Sequence, residues 1–245
     1  MLIAQISDIH ASSENDHLQR FEQVLRWLAN LHPDIVVLTG DLTDGEWREG
    51  YREIAEQLEQ QDYPSLVLPG NSDARHLMRM TWGESQGASD ASPQALHFSR
   101  DIGGLKLIGL DSTVDHQDYG SVSGHLEWLN KQLNNTGDSP VLLFMHHHVF
   151  ESGIPTLDES MCRGTGPLET LIKNAPARLL AIATGHVHRP VAGTFAGIPA
   201  YICGSVCPAN PVWFGTKNIP PVAEPPALMI HRYVNNRLTS HHVCV

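Results

Sequence analysis

Short apolar runs punctuated by polar loops set the layout of this chain. Residues 1–7 alternate weakly and predict a short buried strand. Asn15 or Asp16 stands in capping position ahead of Leu18, Phe21, Leu25, Leu28 and Leu31, which share one helical face. Pro33-Asp34 breaks that helix. Ile35 to Leu38 is β-branched and apolar, as a strand buried on both faces of a parallel sheet must be. Beyond a loop from Gly40 to Gly45, Tyr51, Ile54 and Leu58 mark a second helix. A strand at 65–68 and a short helix near 74–81 follow. This β-α-β-α-β order predicts a parallel sheet with right-handed crossovers.

The pattern then changes. Residues 83–93 read as a polar loop, and Ala95–Ser99 with Leu105–Leu110 as a hairpin around Asp101 to Gly104. Leu126, Leu129 and Leu133 predict a helix over 124–134. A strand at 140–145, a loop with Gly153 and Pro155, a short helix near 167–173 and a strand at 178–183 come next. Short β runs at 192–202 and 228–244 flank a Pro-rich stretch, about 204–228, expected to be a surface loop or cap. Nothing marks a domain boundary, so residues 1–245 read as one α/β sandwich with late antiparallel strands.

Composition narrows the classes. A hydrophobic content of 41% supports a sizeable core, and a formal net charge of −11 argues against a partner bound by phosphate neutralisation, such as a nucleic-acid polymer. Cys162, Cys203, Cys207 and Cys244 match no zinc-ribbon spacing, so free or buried thiols are expected. No segment approaches the ~18 apolar residues of a membrane span. The N-terminus enters a strand directly, with no basic region or cleavage site. The expectation is a cytoplasmic protein without a membrane partner.

Five apolar runs end in metal-binding chemistry: at Asp8 and His10, at Gly40-Asp41, at Gly70-Asn71-Ser72-Asp73, at His146-His147-His148, and at Gly185-His186-Val187-His188. Ligands of open parallel sheets sit beyond the carboxyl ends of strands. Each cluster alone is ordinary loop chemistry; the shared position at five strand ends makes them a site. Carboxylate, imidazole and amide donors without thiolate suit Mn, Fe or Zn. Seven donors exceed the needs of one ion and fit two ions sharing a carboxylate.

The order Asp8-x-His10, Gly40-Asp41, Gly70-Asn71-x-Asp73, His146-His147 and Gly185-His186-x-His188 resembles the calcineurin-like metallophosphoesterase superfamily. Spacing and length are most similar to its class III cyclic nucleotide phosphodiesterase and glycerophosphodiesterase branch. The resemblance covers roughly residues 1–205. It implies a four-layer α/β/β/α sandwich with two mixed sheets and a binuclear metal centre. Asp8, His10, Asp41 and His188 would hold the first metal. Asp41 would bridge, and Asn71, His146 and His186 would hold the second. His146 is preferred to His147 because the ligand of the family it resembles directly follows the strand. The implied activity is hydrolysis of small phosphodiesters by a metal-activated hydroxide, with cyclic nucleotides (3′,5′ or 2′,3′) ahead of glycerophosphodiesters and phosphomonoesters. A non-catalytic scaffold is the reading from a different class, and the filled ligand positions speak against it.

Ser72 departs from the pattern, because the family usually carries His there. Serine is a poor general acid at neutral pH, and a positioned acid is typically worth about 10²–10⁴-fold. His147, His148, His76 or His116 is a replacement donor, or the substrate needs less help, as a strained 2′,3′-cyclic phosphate would. Asp73 is expected to orient a ligand imidazole, or else to cap the helix at Ala74. Arg75, Arg79 and Arg163 are available for a monoester dianion. The loop 151–166 (Glu151, Asp158, Glu159, Arg163) and the aromatics Trp213 and Phe214 are candidate substrate walls; stacking on a base and a subunit contact in a homo-oligomer are both open for the aromatics. His97, His125, His231, His241 and His242 are assigned to structure or surface.

Overall fold

A computed structural model of the chain describes residues 1–83 and 95–245. The expected polar loop at 83–93 lies, beyond Gly83, outside the described residues. The strands are β1 (Leu2–Ile6), β2 (Ile35–Thr39), β3 (Ser65–Leu68), β4 (Phe98–Ile102), β5 (Leu105–Leu110), β6 (Val141–Met145), β7 (Leu179–Thr184), β8 (Val191–Phe195), β9 (Ile198–Ile202), β10 (Ala227–Val234) and β11 (Arg237–Cys244). The helices are α1 (His17–Leu31), α2 (Arg48–Glu59), α3 (Arg75–Trp82), α4 (Leu126–Asn134), α5 (Pro155–Asp158) and α6 (Thr165–Asn174).

Two mixed sheets form. The first runs in the order β11-β10-β1-β2-β3, and the second β4-β5-β6-β7-β9-β8. β1, β2 and β3 are parallel, as are β5, β6, β7 and β9, while β4, β8, β10 and β11 pair antiparallel. Strand periodicity assigns the layers. Ile3, Ile35, Val37, Leu66 and Leu68 face Leu107, Leu142, Phe144, Ala181 and Ala183 of the other sheet. Their neighbours Ala4, Ile6, Val36, Leu38 and Val67 turn outward onto α1, α2 and α3. On the far side, Ile108, Leu143, Met145 and Ile182 pack against α4 and α6 through Trp128, Leu129, Leu133, Leu168 and Ile172. The result is the α/β/β/α sandwich.

Polar residues also cross between the sheets. Gln5 Nε2 donates to Thr39 Oγ1 and to the Thr184 carbonyl, both at 3.0 Å, and Gln5 Oε1 lies 3.1 Å from His231 Nε2. These buried bonds tie β1 and β2 to β7 just below the strand ends that carry the polar clusters, and His231 is a structural histidine within them.

Local differences from the sequence reading have local causes. Asp16 is the N-cap residue of α1 but makes no side-chain capping bond; Asn15 Oδ1 instead accepts from the His17 amide at 3.1 Å. The hairpin strand begins at Phe98, not Ala95: Leu96 N donates to Asp111 Oδ2 instead of a ladder partner, and Asp111 N donates to the His97 ring at Nδ1. The loop at Pro155 contains one helical turn, stabilised where Asp158 accepts from the amides of Ser152 and Gly153 at 2.7 and 2.9 Å. The Pro-rich stretch has no regular structure until β10 begins at Ala227. All four cysteines are free, with Cys244 exposed and the others buried. Among the described residues no helix is long and apolar enough to cross a membrane.

Candidate metal centre

The carboxyl ends of β1, β2 and β3 from one sheet meet those of β6 and β7 from the other. Asp8 and His10 follow β1, Asp41 follows β2, Asn71 follows β3, His146 follows β6, and His186 and His188 follow β7. Donor atoms of Asp8, His10, Asp41 and His188 lie within 4.8 Å of one another, and so do those of His146, His147 and His186. Asn71 Oδ1 joins the second group at 3.1 Å from His146 Nε2. All seven predicted ligands therefore form one continuous cluster.

The backbone bends hard to make it. Asp8 (φ 56°), His10 (49°), Asp41 (53°), His186 (73°) and His188 (54°) all sit in the left-handed region. Such a residue costs about 1–3 kcal/mol and persists only where its surroundings over-determine it. Close approach sets the glycines. A Cβ on Gly70 would lie 2.2 Å from Asp41 Oδ1, and one on Gly40 would lie 2.7 Å from His146 Nδ1. Gly70 and Gly40 are thus the space into which a carboxylate and an imidazole fit.

Each imidazole is oriented by its outer nitrogen. His146 Nδ1 donates to the Thr39 carbonyl at 2.7 Å, so Nε2 faces the cluster. His186 Nε2 donates to Ser160 Oγ at 2.8 Å, whose own proton goes to Leu157 O, so Nδ1 faces inward, 3.2 Å from His146 Nε2. His10 Nδ1 lies 2.6 Å from Asp44 Oδ1, and His188 Nδ1 lies 3.3 Å from Cys207 Sγ. Fixing the outer nitrogen selects the tautomer that offers a lone pair inward. Asp44, Ser160 and Cys207 escaped the sequence reading, since none belongs to a motif and Ser160 and Cys207 are distant in sequence from the rings they hold.

Electrostatics fit a cation. Asp8 and Asp41 are 0% and 2% exposed, and among the described residues their ion-pair partners are imidazoles rather than Lys or Arg. Buried carboxylates need pairing or a metal. Burial opposes charge on His10 and His146, but the Asp41 carboxylate outweighs it and raises them to about 10 and about 9. Asp41 itself is held well below the usual carboxylate range against its burial, chiefly by His146 and His10. His10 Nε2 and His188 Nε2 point at each other across 3.0 Å, an arrangement that requires a proton or a cation between them.

Other nominated residues are placed differently. Ser72 N donates to Asp41 Oδ1 at 2.8 Å, while its hydroxyl donates to the Thr43 carbonyl at 2.9 Å. Asp73 neither orients an imidazole nor caps α3. Its Oδ1 accepts from Leu42 N, Thr43 N and Tyr51 Oη at 3.0, 3.3 and 2.9 Å, and its Oδ2 accepts from Gly70 N at 2.8 Å. It clasps the β2 and β3 loops, and burial plus the nearby Asp41 charge raise it to about 6. His147 has both nitrogens engaged, Nδ1 with Ser112 Oγ at 2.8 Å and Nε2 with Asp118 O at 3.1 Å. His148 stacks on His186 and bonds Asp158 at 3.3 Å. His76 and His116 are exposed. Arg75 is paired with Asp111 and Asp115, and Arg163 lies 3.4 Å over the Tyr119 ring. Trp213 packs on Ile154, Val187 and Ile202 beside the β7 loop, whereas Phe214 is 67% exposed.

A nitrogen-and-oxygen cluster of this kind, at the carboxyl edge of an α/β/β/α sandwich, is the site of a metal-dependent hydrolase. Residues 1–190 match the model of the calcineurin-like phosphoesterase family. A protein of Arcobacter nitrofigilis named "Probable glycerophosphodiester phosphodiesterase GpdQ" is 31% identical, over 98% of this chain and 92% of its own. The 3′,5′-cyclic adenosine monophosphate phosphodiesterase CpdA of Escherichia coli is 27% identical, over 76% of this chain and 69% of its own. Among solved structures, a dimetal phosphatase from Danio rerio aligns with a TM-score of 0.75 over 99% of this chain and 95% of that one, at 12% identity, a likeness of fold. The chain belongs to the calcineurin-like phosphoesterase family, metal-dependent hydrolases with a two-metal site.

Proposed function

We propose that the protein hydrolyses small phosphodiesters at a two-metal centre in which Asp8, His10, Asp41 and His188 hold one ion and Asp41, Asn71, His146 and His186 hold the other. The observation that carries this reading is the position of Asp41 Oδ2, 3.2 Å from His10 Nε2 and 3.4 Å from His146 Nε2. One carboxylate oxygen stands between the two donor sets, as a bridging ligand must. The donors are oxygen and nitrogen, which suits Mn, Fe or Zn. When bound, the ions would polarise a phosphoryl oxygen and lower the pKa of a water. The chain supplies the frame. The Ser72 amide holds the free oxygen of Asp41, the outer-nitrogen bonds aim four imidazoles, and Asn71 adds a neutral donor that does not deepen the negative charge.

Glycerophosphodiesters are the substrate class to test first. This inverts the order that the family resemblance implied, because the relative aligned along nearly the whole chain carries a glycerophosphodiesterase name, whereas the cyclic adenosine monophosphate phosphodiesterase aligns over a smaller share. Cyclic nucleotides form the second reading, and Ser72 favours it. Its hydroxyl donates to the Thr43 carbonyl and so offers no proton, which suits a leaving oxygen that needs little protonation, as in a strained cyclic phosphate.

Purified protein loaded with Mn²⁺, Fe²⁺ or Zn²⁺ should turn over bis(p-nitrophenyl) phosphate together with one of these classes. Turnover of phosphomonoesters alone, or of none of the panel in any metal, would overturn the proposal.

A further inference from the structure

The segment 205–210 closes the centre from behind. Val206 N donates to Ser7 O at 3.1 Å and Cys207 N to Asp8 O at 2.9 Å, which fixes the β1 loop. Asn210 N donates to His188 O at 3.3 Å and Asn210 Nδ2 to Val187 O at 3.1 Å, which fixes the β7 loop. Cys207 lies between the two. Its amide holds Asp8 and its sulfur reaches His188 Nδ1, so one residue touches two ligands that come from different sheets.

We propose that Cys207 is a positioning residue for the first metal: its sulfur accepts the Nδ1 proton of His188 and so leaves the Nε2 lone pair of His188 for the ion. The inference rests on the assignment of His188 as a ligand. The proton placement closes without a clash. His188 Nε2 faces Asp8 Oδ1 at 3.4 Å and His10 Nε2 at 3.0 Å, so Nδ1 is the nitrogen left to carry hydrogen. Sγ accepts it at 3.3 Å, and the thiol's own proton points to the Pro208 carbonyl at 3.7 Å. Because the sulfur engages Nδ1 while Nε2 faces Asp8 and His10, it supports the ligand rather than replacing it, even though donor atoms of His10, His188 and Cys207 also lie within 4.8 Å of one another.

The four imidazoles then differ in a measurable way. His10 is backed by a carboxylate, His146 by a carbonyl and His186 by a hydroxyl, all within 2.8 Å. His188 is backed by a thiol, a weak acceptor. Outer partners of metal-bound histidines typically carry about 10–100-fold in metal affinity or activity. Cys207 is 3% exposed, and its amide bond to Asp8 does not depend on its side chain, so a substitution isolates the sulfur.

The test titrates Mn²⁺ calorimetrically and Co²⁺ by visible absorption into wild type, Cys207→Val, Cys207→Ala, Cys207→Ser and Asp8→Asn. Valine keeps the packing without an acceptor and serves if alanine fails to fold. Val and Ala should weaken one of the two ions about tenfold or more and shift the Co²⁺ bands, while Ser recovers part of both. Wild-type affinity and bands in Val and Ala, with Asp8→Asn losing an ion, would overturn the role of Cys207 alone. Wild-type binding in Asp8→Asn as well would overturn the ligand assignment and this inference with it.

Discussion

Asn71 Oδ1 lies 3.1 Å from His146 Nε2, although the two residues belong to different sheets and are 75 positions apart in sequence. Both face Asp41. Asn71→Ala should therefore remove one ion and spare the other, and Asp41→Asn should weaken both. Loss of one preorganised electrostatic group typically costs about 10²–10³ in kcat. Metal content after dialysis, read beside kcat on bis(p-nitrophenyl) phosphate, checks this; two retained ions in Asp41→Asn would contradict the bridging role.

Asp73 carries a stability prediction. Its carboxylate satisfies three backbone amides and the Tyr51 hydroxyl, and that hydroxyl also accepts from Ala74 N at 2.8 Å. Tyr51→Phe leaves Ala74 N without its acceptor and should cost about 1–3 kcal/mol. Asp73→Ala should cost more, since several buried amides lose their partner together. Urea denaturation of the metal-free proteins measures both, and an unchanged midpoint for Asp73→Ala would contradict the clasp.

Metal binding should release protons. His10 and His146 have folded-state pKa values of about 10 and about 9, above the ordinary 6.5, so both are protonated at neutral pH before metal enters. An incoming ion must displace those protons, so Mn²⁺ affinity should rise as pH increases from 7 toward 9. In the metal-free protein the same shifts stabilise the fold fully below about pH 6.5 and are lost as pH climbs through about 9 and then about 10. Calorimetry in buffers of different ionisation enthalpy counts the protons, and a flat metal affinity across this range would contradict the coupling.

Ser72 tests the leaving-group step. Its amide is anchored to Asp41 Oδ1, so a longer side chain at this position starts beside that carboxylate. Ser72→His should raise kcat on unactivated diesters, toward the roughly 10²-fold low end for a general acid. It should leave bis(p-nitrophenyl) phosphate nearly unchanged, because that leaving group departs without a proton. Equal effects on both substrates would show that position 72 acts on binding rather than on proton transfer.

The legible parts of this molecule were those with a local signature. Apolar runs of strand length, helical spacing such as Tyr51, Ile54 and Leu58, and the Gly that precedes Asp41 and Asn71 each act over a few residues. The β-branched apolar run Ile35 to Leu38 already implied two buried faces, and the structure covers each with its own layer. Asp8, His10, Asp41, Asn71, His146, His186 and His188 were nominated because their residue types follow strand ends, and strand ends of parallel sheets converge.

What the order of residues could not show was which nitrogen faces inward, and what holds it there. Left-handed backbone at Asp8, His10, Asp41, His186 and His188 was not predictable from residue type, because Asp and His only tolerate it more readily than most residues and the surroundings impose it. Asp73 was named but given the wrong partners, since its four donors come from three separate segments. Ser160 and Cys207 look like ordinary loop residues until the fold sets them behind His186 and His188. The sequence by itself determined where strands and helices form and which seven donor-bearing side chains follow strand ends, through short-range periodicity and side-chain chemistry. Only the tertiary structure decided tautomers, strain and outer partners, because those depend on distances between segments that lie far apart along the chain.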